Sequence, residues 1–504
     1  MLPEPDPQLC QALADDLRAA GYTSAALRDA WGAQADDAVA RGLRRPATRA
    51  LGERGDALAV LGRLWGLGLP VPRGDAEAAL PTLRVDGAAA LGLLEISGDA
   101  VTPAVLVRPQ AFADDEGEVE WWIASDLDEA ALGGPLPEEH VLGVGGASQT
   151  LARLQLTRRA RTALDIGTGC GIQALRLRRL VDHVVATDIS ERALRFTRLN
   201  ALVNGVEGIE TRLGSLFEPV TGETFDRVAS NPPFVITPRV AGVPAYEYRD
   251  GGMEGDSLVA SVIEGVRDHL APGAVAQSLG NWEYRWGEPG LDRVRRWVGS
   301  SLDAWVIERE VLDPLAYAEL WVRDGGTVPG TPEYARLIDA WLDDFARRGV
   351  TGIGFGYVLL RRPLAGGPTL ARYERVSGGG ESAFGPHLSA SLAAHDRAAL
   401  LDDEGLAASI LRVAPDVTEA RHHRPGEEDP SVIELRQGGG FARTLEVDPG
   451  LAALVGACDG DLAVGALIDA IAQLMEVDAE ALRVDLLPRV RELLVTGFLG
   501  FADD

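Results

Sequence analysis

The chain has 504 residues, enough for roughly three domains, and 46% of them are hydrophobic and 25% charged. All 48 basic residues are arginine, and 76 acidic residues give a formal net charge of −28. This negative charge repels phosphate backbones at long range, which argues against a whole-surface nucleic-acid binder and favours protein or small-molecule partners. A local arginine cleft could still bind nucleic acid.

The cysteines and the N-terminus give further exclusions. Cys10, Cys170 and Cys458 lie far apart and form no C-x-x-C pair, so neither a zinc site nor a disulfide framework is expected. The first residues lack a basic segment followed by an apolar one, and no apolar run approaches ~18 residues. We therefore expect a cytoplasmic protein without a signal peptide, a membrane span or a metal site.

The first part of the chain predicts a small helical module. Apolar residues recur at helical spacing from residue 8 to about residue 70. Between residues 80 and 125 a helix end is followed by short strands around a Gly98-Asp99 turn. Helices followed by a hairpin predict a winged-helix-like module over residues 1–140. Such a module is often a DNA reader, and as often a dimerisation or substrate-docking unit.

The middle of the chain alternates strands and helices from residue 160 to residue 362, which is typical of parallel βαβ units. We expect an α/β domain over residues 141–362. The Gly-rich stretch 363–385, with Gly378-Gly379-Gly380, predicts a linker. Residues 386–504 carry a helix, a hairpin and three further helical patterns, and predict a second winged-helix-like module.

The first chemical motif is Asp165-Ile166-Gly167-Thr168-Gly169-Cys170-Gly171, between a predicted strand and a predicted helix. Its glycines allow a tight turn and a close approach of the backbone to a ligand, and the helix N-terminus offers free N–H groups. The acidic residue two positions before the first glycine suits a ligand with a positively charged amino-acid moiety. The alternative is a tight turn without a ligand.

The second motif is Asp188, at the end of the next predicted strand. A carboxylate at this position can accept both hydroxyls of a ribose, as in other nucleoside-binding sheets of this kind. The alternative is an ordinary helix N-cap box, because Ser190 follows. Both interpretations can hold together.

The third motif is Asn231-Pro232-Pro233-Phe234, directly after the predicted strand 225–229. Two prolines fix the backbone and remove two N–H donors, which leaves the Asn231 side-chain oxygen and the Pro232 carbonyl as acceptors. A planar amide or amine could donate both hydrogens to them, which would aim its lone pair at a methyl donor. Phe234 could stack on a flat substrate group. The alternative is a simple proline turn.

These motifs carry a resemblance. The segment 160–285 resembles class I methyltransferases of the NPP[FY] group, and within it the HemK-type glutamine N5-methyltransferases, whose known members modify peptide-chain release factors. Asn200, the segment 213–217 and the loop 248–255 also match that group. The resemblance implies a Rossmann-like sheet of seven mostly parallel strands and S-adenosylmethionine as the cofactor. The residues that it assigns to cofactor binding are Asp165, Gly167, Thr168, Gly169, Gly171, Asp188, Ile189, Ser215, Leu216 and Asn231, and those that it assigns to catalysis are Asn231, Pro232 and Phe234.

The chain departs from this pattern in three places. Ser215 stands where the adenine-side motif usually has an acid, and Phe234 stands where the glutamine enzymes usually have Tyr. The outer modules resemble no release-factor-binding domain. The whole chain instead resembles an actinobacterial group of methyltransferase-like proteins with both extra modules.

Three functional hypotheses follow. The first is an N-methyltransferase acting on an amide or amine nitrogen of a protein or peptide, favoured by the acidic surface and the loop 250–255. The second is a ribosomal or transfer RNA base methyltransferase (guanine N2 or adenine N6), favoured by Phe234, the winged-helix-like N-terminus and arginines at positions 153–161 and 176–179. The third is a non-catalytic scaffold, against which the intact motifs argue. The oligomeric state stays open.

For the remaining polar and aromatic residues, a structural role is at least as well supported as a functional one. His422 and His423 are adjacent in a polar stretch and would not share a helix face, so they predict no metal site. Trp282, Tyr284 and Trp286 follow a predicted strand and could line a substrate cleft or lie in the core. The arginine groups are more often a solvated face than a phosphate-binding surface.

Overall fold

The structure is a computed structural model that describes residues 2–114, 117–134, 136–244, 249–376 and 384–503. The chain forms two compact units, one comprising Met1–Ala152 with Arg159–Pro368 and the other Arg153–Arg158 with Thr369–Asp504. The predicted boundary near residue 140 therefore does not separate two compact units.

The N-terminal part of the first unit is mainly helical, as the sequence predicts. Its helices are α1 Pro7–Ala19, α2 Ser24–Trp31, α3 Ala33–Ala40, α4 Arg45–Leu51, α5 Ala57–Leu61, α6 Arg73–Ala79, α7 Arg84–Ala90, α8 Glu129–Leu132 and α9 Gly146–Leu154, and its strands are β1 Val71–Pro72, β2 Leu94–Ser97, β3 Ala100–Pro103, β4 Leu106–Asp114 and β5 Gly117–Ser125. A π-helical turn at Gly62–Gly66 extends α5. Strands β1, β3 and β2 form an antiparallel sheet, and β4 pairs with β5.

Local sequence explains how α1 begins and which face it buries. The Asp6 carboxylate accepts hydrogen bonds from the amides of Gln8 and Leu9, at 2.8 and 3.1 Å, and Pro7 occupies the first turn. Leu13 and Leu17 are four residues apart and both are buried. The order of helices, strands and hairpin agrees with a winged-helix-like module, and that assignment stays a prediction.

The rest of the first unit is an α/β domain. Its strands are β6 Ala160–Ile166, β7 Val181–Asp188, β8 Ile209–Leu213, β9 Phe225–Ser230, β10 Leu270–Arg285, β11 Asp303–Leu312 and β12 Val350–Arg361, and its helices are α10 Ile172–Arg178, α11 Glu191–Val203, α12 Ser257–Val266, α13 Gly290–Val298, α14 Pro314–Asp324 and α15 Pro332–Arg348, with 3-10 turns at Glu218–Val220 and Arg267–His269. The seven strands of this unit are ordered β8-β7-β6-β9-β10-β12-β11. Strand β12 is antiparallel to β10 and β11. The pairs among the five strands β6 to β10 are parallel. The predicted Rossmann-like class I methyltransferase fold is confirmed.

The sheet brings the three motifs to one edge. Ile166 of β6 lies opposite Thr187 of β7 and Ser230 of β9, and Asp188 lies opposite Leu213 of β8. The carboxyl ends of these parallel strands therefore meet, which is where open α/β sheets bind ligands.

One hydrophobic core joins the N-terminal part to the α/β domain. Buried side chains of α10 and α11, among them Leu175 and Phe196, belong to the same cluster as Leu13 of α1 and Trp122 of β5. This shared core is the physical reason why residues 1–140 do not form a compact unit of their own.

A helical pair is inserted between β11 and β12. Tyr317 of α14 and Trp341 and Phe345 of α15 form an aromatic cluster with ring centroids 6.0 Å apart in each pair. Val235 and Ile236, which follow the Asn231–Phe234 motif, pack in the same cluster. The inserted helices therefore support the chain directly after this motif.

The second unit contains its own core and two small antiparallel sheets. Its elements are β13 Ala371–Arg375, α16 Phe384–Ala399, α17 Asp403–Ala408, β14 Ile410–Val413, β15 Val417–His422, β16 Val432–Gln437, β17 Thr444–Val447, α18 Pro449–Ala457, β18 Asp459–Ala463, α19 Val464–Met475, α20 Ala479–Thr496 and β19 Leu499–Phe501. The sheets are ordered β18-β14-β19 and β15-β16-β17. The hairpin predicted for residues 386–504 agrees with the antiparallel pair β16 and β17.

The predicted linker differs from the structure in one respect. Strand β13 lies inside the stretch 363–385. Glu374 on this strand accepts hydrogen bonds from Arg443, at 2.6 and 2.9 Å, and from Arg372 at 2.7 Å. The run Gly378–Gly380 lies outside the described residues. Among the helices of the described residues, none combines the length and the apolar character needed to cross a bilayer.

Candidate active site

The glycine loop between β6 and α10 forms one wall of a cavity. Gly167 and Gly169 have φ angles of +70° and +56°, which L side chains rarely adopt. A Cβ on either residue would meet no protein atom within 4 Å, so both glycines border open space. Together with Thr168 they line the cavity, and their role in cofactor binding stays a prediction.

Asp165 lies beneath this loop and is not among the residues that line the cavity. Its carboxylate is 1% exposed and accepts a hydrogen bond from Thr168 Oγ1 at 2.7 Å. Its other oxygen, Oδ1, is buried without a hydrogen-bond partner, and burial raises the pKa of Asp165 to about 7. The structure thus differs from the expected direct contact with a ligand, because the side chain points under the loop that it holds.

Gly171 also differs from its predicted role. Its φ is +84°, and a Cβ there would come within 3.0 Å of the Thr197 side chain on α11. It stands at the start of α10 and outside the cavity lining. Close packing of α10 on α11 explains this glycine.

Asp188 lines the cavity from the end of β7. Its two oxygens accept hydrogen bonds from the amides of Gly169 at 3.0 Å and Ser190 at 2.9 Å. Burial raises the pKa of Asp188. Ser190 caps α11 through the amide of Ala193 at 3.3 Å, so the N-cap interpretation holds beside the predicted position at the cavity.

Ser215 and Leu216 border the same cavity from the loop after β8, and Ile189 borders it from the residue after Asp188. The amide of Gly214 donates to the carbonyl of Asp188 at 3.0 Å, which holds this loop beside β7. Leu216 has a φ of +48°, an unusual conformation for a residue with a side chain. All three residues therefore border the cavity, and their role in cofactor binding stays a prediction.

The Asn231–Phe234 motif begins where β9 ends. Ser230 Oγ donates to the carbonyl of Ile166 at 3.0 Å, which fixes the end of β9 beside the glycine loop. Asn231, Pro232 and Pro233 line the cavity. Asn231 Oδ1 is buried without a hydrogen-bond partner, and its Nδ2 lies 3.5 Å from Ser148 Oγ.

The backbone after the motif is held by two hydrogen bonds. The amide of Val235 donates to the carbonyl of Arg249 at 2.8 Å, and the amide of Ile236 donates to the Tyr317 hydroxyl at 3.1 Å. Asn281 Nδ2 donates to the same hydroxyl at 2.6 Å. The double-proline bend is therefore fixed from both ends.

Phe234 differs from its predicted role as a stacking platform. Its ring lies 5.5 Å from that of Phe355 on β12, and it packs at the border of the core around Tyr317. It is not among the residues that line the cavity. Packing against a distant strand, rather than the cavity, determines its position.

Hydrogen bonds from Arg239 hold the loop 248–255, which also matches the methyltransferase group named above. Arg239 donates to Asp250 at 2.9 Å and from Nε to the carbonyl of Met253 at 3.0 Å. Gly251 and Met253 line the cavity. Tyr248, which belongs to the same match, lies outside the described residues.

The cavity that these residues surround has a volume of about 230 Å³. Several of its walls carry no sequence motif. These walls are formed by Glu139, His140, Val141, Leu142, Gly143, Ser148, Gln173, Leu258 and Val262. Sequence reasoning missed them because residues 139–148 precede the first motif strand and show no distinctive spacing.

Two of the missed residues affect the shape of the cavity near Asn231 and the charge of its wall. Gln173 Nε2 donates to the carbonyl of Ser148 at 2.7 Å, which holds Ser148 near Asn231. His140 is buried, and burial lowers its pKa below the ordinary value. His140 is therefore a neutral wall residue at pH 7.

The arginine groups and the aromatic residues lie elsewhere. Arg176 and Arg179 both bind the buried carboxylate of Asp114, each at 2.7 Å. Trp282 is fully buried, whereas Trp286 is 85% exposed, and neither lines the cavity. Within the described ranges, no group of three His, Cys, Asp or Glu side chains is arranged to hold a metal ion.

Comparison with protein families divides the chain into three matched segments. Residues 143–242 match the methyltransferase small domain. Residues 19–104 match a domain of unknown function (DUF7059), and residues 392–500 match another (DUF7782). The middle of the chain is thus a methyltransferase domain.

Curated relatives match part of the chain. Release factor glutamine methyltransferases from Geobacter sulfurreducens and Deinococcus radiodurans are 33% and 36% identical over 123 residues, or 23% and 24% of this chain. The one from Aliivibrio fischeri is 36% identical over 83 residues, or 16% of the chain. The chain spans 43%, 42% and 29% of their respective lengths. The predicted resemblance to HemK-type methyltransferases is confirmed for this segment.

Solved structures of methyltransferases are similar to part of the chain. The ribosomal protein L11 methylase of Lactobacillus delbrueckii subsp. bulgaricus is 17% identical, covers 44% of this chain and 81% of its own, and has a TM-score of 0.26. The geranyl diphosphate C-methyltransferase of Streptomyces coelicolor is 13% identical, covers 43% and 77%, and has a TM-score of 0.27. At these TM-scores neither structure bears on the activity of the protein.

Proposed function

We propose that the protein is an S-adenosylmethionine-dependent N-methyltransferase that acts on a side-chain amide nitrogen of a protein, of the glutamine N5 type. The observation that carries the proposal is Asn231 Oδ1, a buried oxygen without a partner beside the cavity. A buried acceptor without a partner is costly. Because Oδ1 is closed to solvent in this structure, the Asn231 side chain must turn toward the cavity to accept from an incoming NH₂ group.

The residues of the cavity fit the donor. The open space beside Gly167 and Gly169 gives room for a ligand against the loop backbone, and the Asp188 carboxylate is available to ribose hydroxyls. Ile189 and Leu216 supply apolar surface on the same side. When bound, S-adenosylmethionine supplies an electrophilic methyl group on a sulfonium centre.

On the acceptor side, the chain binds and orients the nitrogen. Asn231 Oδ1 and the carbonyl of Pro232 would accept the two hydrogens of the amide, which fixes the direction of its lone pair. The same two oxygens stabilise the positive charge that develops on nitrogen. The fixed bend between Ser230 and Ile236 supplies the rigidity for this task.

The charge of the cavity favours an uncharged amide over a nucleic acid. None of the described residues that line it is arginine, and the ionisable side chains among them are Glu139, His140, Cys170 and Asp188. Phosphate contacts dominate nucleic-acid affinity and need cationic groups. The glutamine methyltransferases that match this chain support a protein acceptor.

The decisive experiment labels an extract of cells that lack the gene with tritiated S-adenosylmethionine and the purified protein. We expect protease-sensitive, RNase-resistant label. Acid hydrolysis of the labelled protein should release tritiated methylamine, because it cleaves the side-chain amide, and this methylamine becomes volatile once the hydrolysate is made alkaline. A side chain methylated on an amine would keep its label.

Other outcomes of this experiment contradict the proposal in different ways. RNase-sensitive label would assign the base-methylating alternative, and non-volatile protein label would exclude an amide acceptor. Label equal to that of a protein-free control would exclude catalysis under these conditions and return the scaffold hypothesis. The cytoplasmic localisation expected from the sequence stays a prediction.

A further inference from the structure

The cavity wall formed by residues 139–143 is held by the N-terminal part of the chain. The backbone amide of Asp126 donates to the carbonyl of Val141 at 3.1 Å, and the amide of Val141 donates back to Asp126 Oδ2 at 2.9 Å. A Cβ on Gly143 would come within 2.9 Å of Ser125 Oγ, so this wall lies directly against the end of β5. Val141 and its neighbour His140 both line the cavity.

The same carboxylate binds the helix that follows Asp188. Arg192 donates from Nε to Asp126 Oδ2 at 2.9 Å, and its Nη2 also contacts Asp126 Oδ1. Arg192 stands between Ser190 and Ala193, which both line the cavity. A single side chain of the N-terminal part therefore joins two walls of the cavity.

Two asparagines of α11 extend this connection along β5. Asn200 exchanges hydrogen bonds with the backbone of Ala124, at 2.8 and 2.9 Å, and donates to the carbonyl of Cys170 at 2.8 Å. Asn204 pairs in the same way with the backbone of Trp122, at 2.9 Å in both directions. Because Cys170 belongs to the glycine loop, β5 is coupled to that loop through one side chain.

We propose that Asp126 is a positioning residue of the cofactor site, so that the N-terminal part of the chain completes the cavity of the methyltransferase domain. This inference rests on the proposed function, because it takes the cavity to be the S-adenosylmethionine site. Asp126 itself does not line the cavity. It acts through the wall 139–143 and through Arg192, which set the shape of the site before any ligand arrives.

The test measures binding of S-adenosylhomocysteine to the full-length chain by titration calorimetry. Asp126→Asn removes the negative charge that Arg192 contacts. It also replaces one accepting oxygen with an NH₂ group, which cannot accept a hydrogen bond from Arg192. Because hydrogen bonds between charged groups are roughly twice as strong as neutral ones, we expect a fall in affinity of about tenfold. The melting temperature is recorded separately.

Asp128→Asn provides the matched control. Asp128 accepts from Arg108 Nη2 at 2.7 Å and is similarly placed in the N-terminal part, but no hydrogen bond joins it to the described wall residues 139–143. Asparagine also keeps its capping bond to Ala131. We expect affinity within about twofold of the wild type, because the hydrogen bonds of Asp128 go to Arg108 and Ala131 and not to a wall residue.

A second variant keeps the test decisive if Asp126→Asn does not fold. Arg192→Lys retains the charge but loses the two-nitrogen contact, and we expect an affinity loss of about threefold. Unchanged affinity in the folded variants would overturn the inference even if their melting temperatures fell, because that pattern indicates a purely structural role. Lack of binding by the wild type would instead overturn the proposed function.

Discussion

In the proposed function the cavity has a donor side and an acceptor side, and the two are built in different ways. The donor side comes from two successive strand ends, where Gly169 and Ser190 are tied to Asp188 by short hydrogen bonds. The acceptor side brings together Ser148, Asn231 and Met253, from three separated parts of the chain. Local backbone geometry thus creates the donor side, whereas tertiary packing creates the acceptor side.

This difference explains where each function of the site can vary. A turn held by its own backbone bonds tolerates few changes, so the donor side is expected to bind one kind of ligand. The acceptor side depends on helices and loops that differ in length among folds of this class. Substitutions on the two sides should therefore have separable effects on donor binding and on methyl transfer.

The largest expected effect is that of Asn231→Ala. It removes the side-chain oxygen that would accept the substrate amide, and we expect methyl transfer to fall by at least about 100-fold, as for loss of one stabilising group in other enzymes. Tritium incorporation into extract protein measures this. Calorimetry should find the affinity for S-adenosylhomocysteine nearly unchanged. A similar fall in methyl transfer and in S-adenosylhomocysteine affinity would contradict the assignment of Asn231 to the acceptor side alone.

The next effect compares Gly169→Ala with Gly171→Ala. Both residues have positive φ, so alanine costs about 1–2 kcal/mol of backbone strain in either. At Gly169 the new methyl group enters open space of the cavity, whereas at Gly171 it meets Thr197. We expect Gly169→Ala to lose S-adenosylhomocysteine affinity about tenfold, and Gly171→Ala to lose mainly melting temperature. The reverse pattern would place the ligand away from the glycine loop.

The smallest effect concerns Asp165 and pH. Its pKa is raised to about 7 by burial, so the folded chain holds a proton between about pH 4 and pH 7 that the unfolded chain has released. The tighter binding of this proton by the folded chain stabilises the fold at low pH, and the stabilisation is lost as the pH rises through 7.

Differential scanning fluorimetry of the wild type and Asp165→Asn tests this pH dependence. The wild type should gain melting temperature relative to the variant as the pH falls from 7.5 to 5.5. A difference independent of pH would mean that Asp165 is ionised throughout this range. Its role beneath the loop would then be that of a charged acceptor for Thr168.

The sequence predicts the donor side well because each of its residues belongs to a local motif. Gly167, Thr168, Gly169, Asp188 and Ile189 all line the cavity, and the sheet has the predicted seven strands in the first unit. Strand ends and tight turns are specified by a few consecutive residues. The predictions for this region therefore do not depend on distant packing.

The sequence predicts the acceptor side less well because its walls depend on distant contacts. The position of Phe234 follows from Phe355 on β12, and Ser148 is placed by Gln173. No spacing rule connects such pairs. Likewise, Asp165 and Gly171 belong to the motif, yet one lies beneath the loop and the other against Thr197, which only three-dimensional packing determines.

The shared hydrophobic core has a consequence for inheritance. Leu13 and Trp122 belong to the same buried cluster as side chains of α10 and α11, so the faces that these helices turn toward the N-terminal part are apolar where a free-standing methyltransferase would present polar groups. A shortened chain beginning near residue 141 would expose that surface and tend to aggregate. If recombination replaced the N-terminal part with an unrelated segment, the new segment would have to match the apolar faces of both α10 and α11. We therefore expect the N-terminal part and the methyltransferase domain to be inherited together.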